Sequence, residues 1–158
     1  ANEAHDRLNA AATAFWAIER EPVFGWGLGT FSNVNTVHHQ AWGDTPWTRG
    51  YGIVAHDTQL GIGAELGMVG LCIWLGILVS KVIASLRAWT ALPRSGLVSR
   101  WLAVAFWCMC IAWAATASLI DVRFFAFVSA ILFLFGGMVL GLTDHHARQR
   151  GESTGQAA

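Results

Sequence analysis

The residues best suited to chemistry cluster in one stretch, His56-Asp57-Thr58-Gln59-Leu60-Gly61-Ile62-Gly63-Ala64-Glu65-Leu66-Gly67-Met68-Val69-Gly70-Leu71. An imidazole takes up and returns a proton near neutral pH, as a general base at His56 would have to do. The competing reading of His56 is a hydrogen-bonded histidine at a membrane interface. Asp57 sets a carboxylate beside it, and Glu65 follows inside an otherwise apolar run. An ionisable group at membrane depth is costly unless paired, so Glu65 either serves a function or is satisfied by an arginine or by backbone amides. Arg7, Arg20 and Arg49 are the cationic side chains upstream. The planar donor fork of arginine matches phosphate or carboxylate oxygens. Arg20 stands between Glu19 and Glu21 and reads as a surface ion pair, whereas neither Arg7 nor Arg49 has so obvious a partner.

Two other patterns carry less. His38, His39 and His56 make a poor metal site, because adjacent histidines are awkward joint ligands and no HExxH-type spacing accompanies them. No metal or other cofactor is expected. Gly25-Trp26-Gly27-Leu28-Gly29-Thr30 resembles a nucleotide loop superficially. It lacks the Lys-Ser/Thr of a P-loop, and Thr30 stands where a dinucleotide fingerprint needs glycine. A tight backbone turn is the expected role.

These residues have to be positioned by apolar helices. The chain is 158 residues, 54% hydrophobic and 13% charged, with nine tryptophans. Ordinary globular domains carry roughly 25% charged residues. Tryptophan is enriched at bilayer interfaces, so the composition describes an integral membrane protein. A formal net charge of zero leaves no basic stripe for nucleic acid. Cys72, Cys108 and Cys110 fall in apolar runs and form neither a disulfide framework nor a CxxC motif.

A helix needs about 20 apolar residues to cross the hydrocarbon core. Three segments qualify, at residues 60–80, 101–120 and 124–142, with Glu65 their only acidic residue. The 81–100 loop carries Lys81, Arg87, Arg94 and Arg100 without an acid, and the 143–158 tail carries Arg148 and Arg150. Basic excess in short flanking loops marks the cytoplasmic side. The 121–123 turn and residues 1–59 then lie outside, and Arg7 and Arg49 share that side with Glu65. Within 1–59, apolar spacing from Leu8 to Ile18 predicts an amphipathic helix over 5–20, ended by Pro22 and the glycines. Residues 32–55, with Trp42, Trp47 and Tyr51, read as an ordered loop at the bilayer surface. Gly63, Gly67, Gly70, Gly137 and Gly141 fit small-xxx-small helix packing. The polar tail reads as disordered. The expected fold is all-α integral membrane, three transmembrane helices preceded by an external (periplasmic) amphipathic helix and loop. Three spans make a thin bundle, so the sequence reads as the C-terminal part of a larger multi-spanning bundle.

Arg7 on a short external helix, then Pro22 through Phe31 as Pro-x-x-Gly-x-Gly-x-Gly-x-x-Phe, then His56 through Gly70 running into Glu-x-Gly-x-x-Gly, together resemble the O-antigen ligase and O-antigen polymerase superfamily. The motifs cover residues 5–80, and the later spans match by topology. The resemblance implies a bacterial inner-membrane glycosyltransferase that uses a polyprenyl-diphosphate-linked glycan donor on the periplasmic face, without a metal. The acceptor would be a glycan, a lipid such as lipid A-core, or a protein, with membrane lipids around it and no nucleic-acid partner. It further implies that Arg7 binds the diphosphate and His56 is the catalytic base; beside them, Arg49, Asp57 and Glu65 are the expected substrate-binding residues. Asp57 stands where the family usually shows Asn, and a carboxylate there would orient the histidine or raise its pKa. The external loop is short for recognising a large acceptor. The alternative is a transporter or channel component, in the manner of relatives proposed to move bicarbonate. Spans two and three carry no charge or proline, which disfavours a transport path there.

Overall fold

The computed structural model describes residues 2–48, 52–96 and 98–155, and among them all the regular secondary structure is helical. The helices are α1 (Asn2–Arg20), α2 (Phe31–His38), α3 (Thr58–Leu86), α4 (Ala88–Ala91), α5 (Trp101–Ala117) and α6 (Ala126–Gly155), with a 3-10 turn at Val122–Phe124. The segments Thr58–Ala91 and Ala126–Gln149 are long and apolar enough to cross a membrane, while apolar α5 is shorter at 17 residues. Two compact units divide the chain. One comprises Ala1–Leu75 with Ala115–Phe125, the other Gly76–Ala114 with Ala126–Ala158.

In the first unit α1 presents two different faces. Ala10, Ala14 and Ala17 are fully buried, and Ala14 and Ala17 pack with Phe31 and Val34 of α2, Ala55, and Ala64 of α3. Small side chains let helix backbones approach closely, which is how so short a unit closes a core. The second face is polar: Asp6, Asn9 and Thr13 are buried at i, i+3 and i+7. They grip the irregular segment that follows α2. Asp6 accepts from the Thr48 amide at 2.8 Å and its hydroxyl at 2.6 Å. Asn9 accepts from the Trp42 amide at 2.8 Å and donates to the Thr45 carbonyl at 3.1 Å. The Thr13 hydroxyl accepts from the Gln40 amide at 2.9 Å. A backbone without regular structure must find partners for its amides, and α1 supplies them.

Several expectations are corrected. Residues 32–55 are not a loop throughout, because α2 takes up Phe31–His38. Phe31 and Val34, one turn apart, bury its apolar side. The 143–158 tail is helical through Gly155, not disordered. Extending an existing helix adds a bond per residue without a new nucleus, so 143–155 can continue α6 despite being polar. Residues 156–158 lie outside the described residues. The second apolar helix ends at Ala117 rather than 120, and the connection to α6 is correspondingly longer than 121–123.

In the second unit, tryptophan donors are matched to serines. The Trp107 indole donates to the Ser85 hydroxyl at 2.7 Å, and Trp113 to Ser129 at 3.3 Å. An indole N–H away from water needs such an acceptor. The Arg100 guanidinium lies 4.8 Å over the Trp89 ring. Close helix approach occurs at Gly136, where a Cβ would stand 2.9 Å from the Phe106 ring. Gly137 and Gly141 face open space instead, so the expected packing role passes to their neighbour. An apolar cavity of about 450 Å³ opens among Val82, Phe106, Trp107, Leu132 and Phe133.

Candidate functional site

The start of α3 explains Asp57. Its Oδ1 accepts from the Leu60 amide at 2.8 Å, and its carbonyl accepts from the Gly61 amide at 3.0 Å. This is an N-cap, a role that Asp and Asn fill about equally well. The residue before the cap, His56, has φ 55°, the one positive φ at a non-glycine among the described residues. A left-handed conformation is unfavourable for histidine and persists only where the surroundings impose it. Here buried Ala55 on one side and the cap on the other fix the chain direction.

His56 and Arg7 line the same cavity, about 430 Å³ in volume, with Glu3, Asp6 and residues 52–54. The Arg7 guanidinium donates to the Leu119 carbonyl at 3.3 Å, which leaves further donors of its fork to serve the cavity. Burial pulls the His56 pKa below its ordinary value and the Arg7 charge pulls the same way, against the opposing pull of Asp121, Glu3 and Asp6. The imidazole is therefore neutral at pH 7 and able to accept a proton. Asp6 is already engaged with Thr48.

Below His56 one face of α3 receives the turn before α6. The Thr58 hydroxyl donates to the Ile120 carbonyl at 3.2 Å and accepts from the Val122 amide at 3.0 Å. Gly61 leaves room for Arg123, whose guanidinium a Cβ there would strike. Arg123 then reaches Glu65 at 2.6 Å and Asp121 at 2.6 Å. The second Glu65 oxygen accepts from the Phe31 amide at 3.1 Å, where α2 begins. Burial alone would lower the Arg123 pKa, but the hydrogen bond and charge of Asp121 and the charge of Glu65 outweigh it and raise it. Both carboxylates are buried, and Arg123 is the cation that compensates them.

Two residues past Glu65 the helix breaks. Gly67 has φ 65° and ψ −168°, and the hydrogen-bonding groups released there are taken up by the glycine-rich loop after α1. The Trp26 and Gly27 amides donate to the Ala64 and Glu65 carbonyls at 3.0 and 2.8 Å. The Met68 and Val69 amides donate to the Pro22 and Val23 carbonyls at 2.8 and 3.3 Å. The approach is backbone on backbone: a Cβ on Gly25 would lie 2.5 Å from the Glu65 carbonyl carbon, and one on Gly67 would overlap Val23. Gly25 and Gly67 thus belong to one interlock. Gly67 does not serve the small-residue helix packing expected of it, and the 25–30 turn is half of a joint.

Of the five anticipated site residues, the structure brings Arg7 and His56 together, assigns Asp57 to capping, and places Glu65 in the Arg123 cluster. Arg49, like Tyr51, lies outside the described residues. His38 stacks on Trp16 at 5.0 Å and His39 lies edge-on to Trp47, while Arg20 sits 5.6 Å over Trp16. Sequence reasoning missed Arg123, Asp121 and Thr58. The available signal was the Asp-x-Arg pair in a short turn between two uncharged runs, opposite a span with one acid. No family model, curated protein or solved structure matches the chain. The functional reading therefore rests on the site residues and their motifs.

Proposed function

We propose that the protein is a membrane glycosyltransferase of the O-antigen ligase and polymerase type. It transfers a polyprenyl-diphosphate-linked glycan to an acceptor hydroxyl on the outer face of a bacterial inner membrane. The observation that carries this reading is the convergence of Arg7 and His56 on one cavity, with His56 held neutral. In the step, the acceptor oxygen attacks the anomeric carbon and its proton passes to His56. The bond from that carbon to the diphosphate oxygen breaks, and the electron pair leaves with the polyprenyl diphosphate. Arg7 stabilises the charge that develops on the leaving oxygens. The acceptor itself, whether glycan, lipid or protein, is read by parts of the surface beyond these two side chains.

In this reading α3, α5 and α6 cross the membrane, with the basic 87–100 segment on the cytoplasmic side and α1 through His56 outside. His56→Ala and Arg7→Ala are each expected to abolish glycan transfer in cells while membrane insertion is kept. Normal surface polysaccharide in both variants, with the protein present in the membrane, would sink the assignment.

The break at Gly67 is similar to the discontinuous helices of transporters, which favours a transport reading to that extent. There, unwound backbone faces a substrate path. Here the 22–27 backbone satisfies the released groups and Arg123 compensates Glu65, which supports transfer chemistry over transport.

A further inference from the structure

The interlock at Gly67 carries a side that nothing among the described residues covers. Val23, Phe24 and Leu28 are 52%, 75% and 75% exposed, on a segment from Pro22 to Phe31 without a single ionisable side chain. Beside them on α3, Met68 and Val69 are 46% and 43% exposed, joined to Pro22 and Val23 by the hydrogen bonds described above. The result is one apolar surface continuous from the loop onto α3.

The level of this surface follows from the turn contacts. Thr58, Gly61 and Glu65, spread over about 10 Å of helix, all touch the single turn at 120–123. That turn joins the ends of α5 and α6, so the first turns of α3 lie beside it. The helix from Met68 to Leu86, with Lys81 near its far end as its one charged residue, is roughly 28 Å long, close to the thickness of a hydrocarbon core. Gly67 stands where that stretch begins.

We infer that Val23, Phe24 and Leu28 form a membrane-surface anchor that enters the lipid leaflet beside the Gly67 break. The occupant of this surface is the boundary between lipid headgroups and acyl chains. Irregular backbone can leave water only when its polar groups are satisfied within the protein, and α3 satisfies the Pro22 and Val23 carbonyls and the Trp26 and Gly27 amides of this loop. Exposed Glu19, Arg20 and Glu21 directly precede the loop and keep the insertion shallow, at headgroup depth. Trp16 and Trp26, stacked at 5.7 Å, are residues that favour that depth. The anchor sets the height of the His56 cavity above the bilayer. It rests on the membrane-crossing part of the proposed function, not on the transfer chemistry.

The test uses the whole protein in lipid bilayers with Cys72, Cys108 and Cys110 replaced by serine. Single nitroxide labels are placed through Phe24→Cys, Leu28→Cys, Asp44→Cys in the surface loop and Ile77→Cys on α3. Collision with oxygen against a water-soluble nickel chelate reads depth. Labels at 24 and 28 are expected to show an oxygen preference severalfold above that at 44 and below that at 77. Water-like values at 24 and 28 with a lipid-like value at 77 overturn the anchor and leave the membrane reading standing. A water-like value at 77 as well overturns both.

Discussion

At the residue scale, Asp57 and His56 show how neighbours can do different work. Asp57 spends its carboxylate on the Leu60 amide, and the charges acting on His56 are those of Arg7, Asp121, Glu3 and Asp6. Asp57→Asn is expected to leave both stability and the His56 titration unchanged, because asparagine caps as well. Asp57→Ala should cost about 1 kcal/mol for the lost cap, measured by thermal unfolding in detergent. Arg7 acts on His56 directly. Since that cation lowers the imidazole pKa, Arg7→Ala should move the pKa upward, as followed by NMR of the ring protons. In the intact site the transfer rate should fall on acidification only below the ordinary histidine range, where the neutral base is lost. An acid limb above pH 6.5 would contradict a lowered pKa.

At the element scale, α3 is a continuous hydrophobic helix in sequence and a jointed one in structure. Period and length announce the helix, and its glycines read naturally as helix-packing positions. Three of its glycines meet three different partners: Gly63 packs against Ile18 of α1, as helix packing requires, whereas Gly61 admits Arg123 and Gly67 breaks the helix against Val23. Pattern alone cannot separate these roles, since each needs only the absence of a Cβ. The joint makes a sharp prediction. Gly25→Ala and Gly67→Ala should each destabilise the protein severely, by more than about 2 kcal/mol, through positive φ and backbone overlap together. Gly76→Ala, in helical backbone with open space around it, should be neutral or slightly stabilising. Equal melting temperatures for Gly67→Ala and Gly76→Ala would show that the interlock does not hold the fold together.

At the scale of the whole molecule, orientation depends on charge placed at and beyond the ends of the apolar helices. Lys81, Arg87, Arg94 and Arg100 occur without an acid among them, so a reporter fused after Arg94 should read cytoplasmic. A signal from the outer side would invert the topology and remove the His56 cavity from the face on which the proposed transfer takes place. The same basic segment folds on itself, with Arg100 over Trp89 and the Arg100 amide bonded to the Pro93 carbonyl at 3.0 Å.

The amino-acid sequence by itself determined the helical class, the apolar runs and the presence of an arginine and a histidine in the segment before α3. These depend on composition, on period and on residue type, which are local properties. The tertiary structure alone decided who partners whom. Glu65 is compensated by Arg123, which lies 58 positions away, and the 22–27 loop closes a break far downstream at Gly67. The physical reason is that burial makes every charge and every released backbone group find a partner, and the chain supplies those partners at separations no periodicity records.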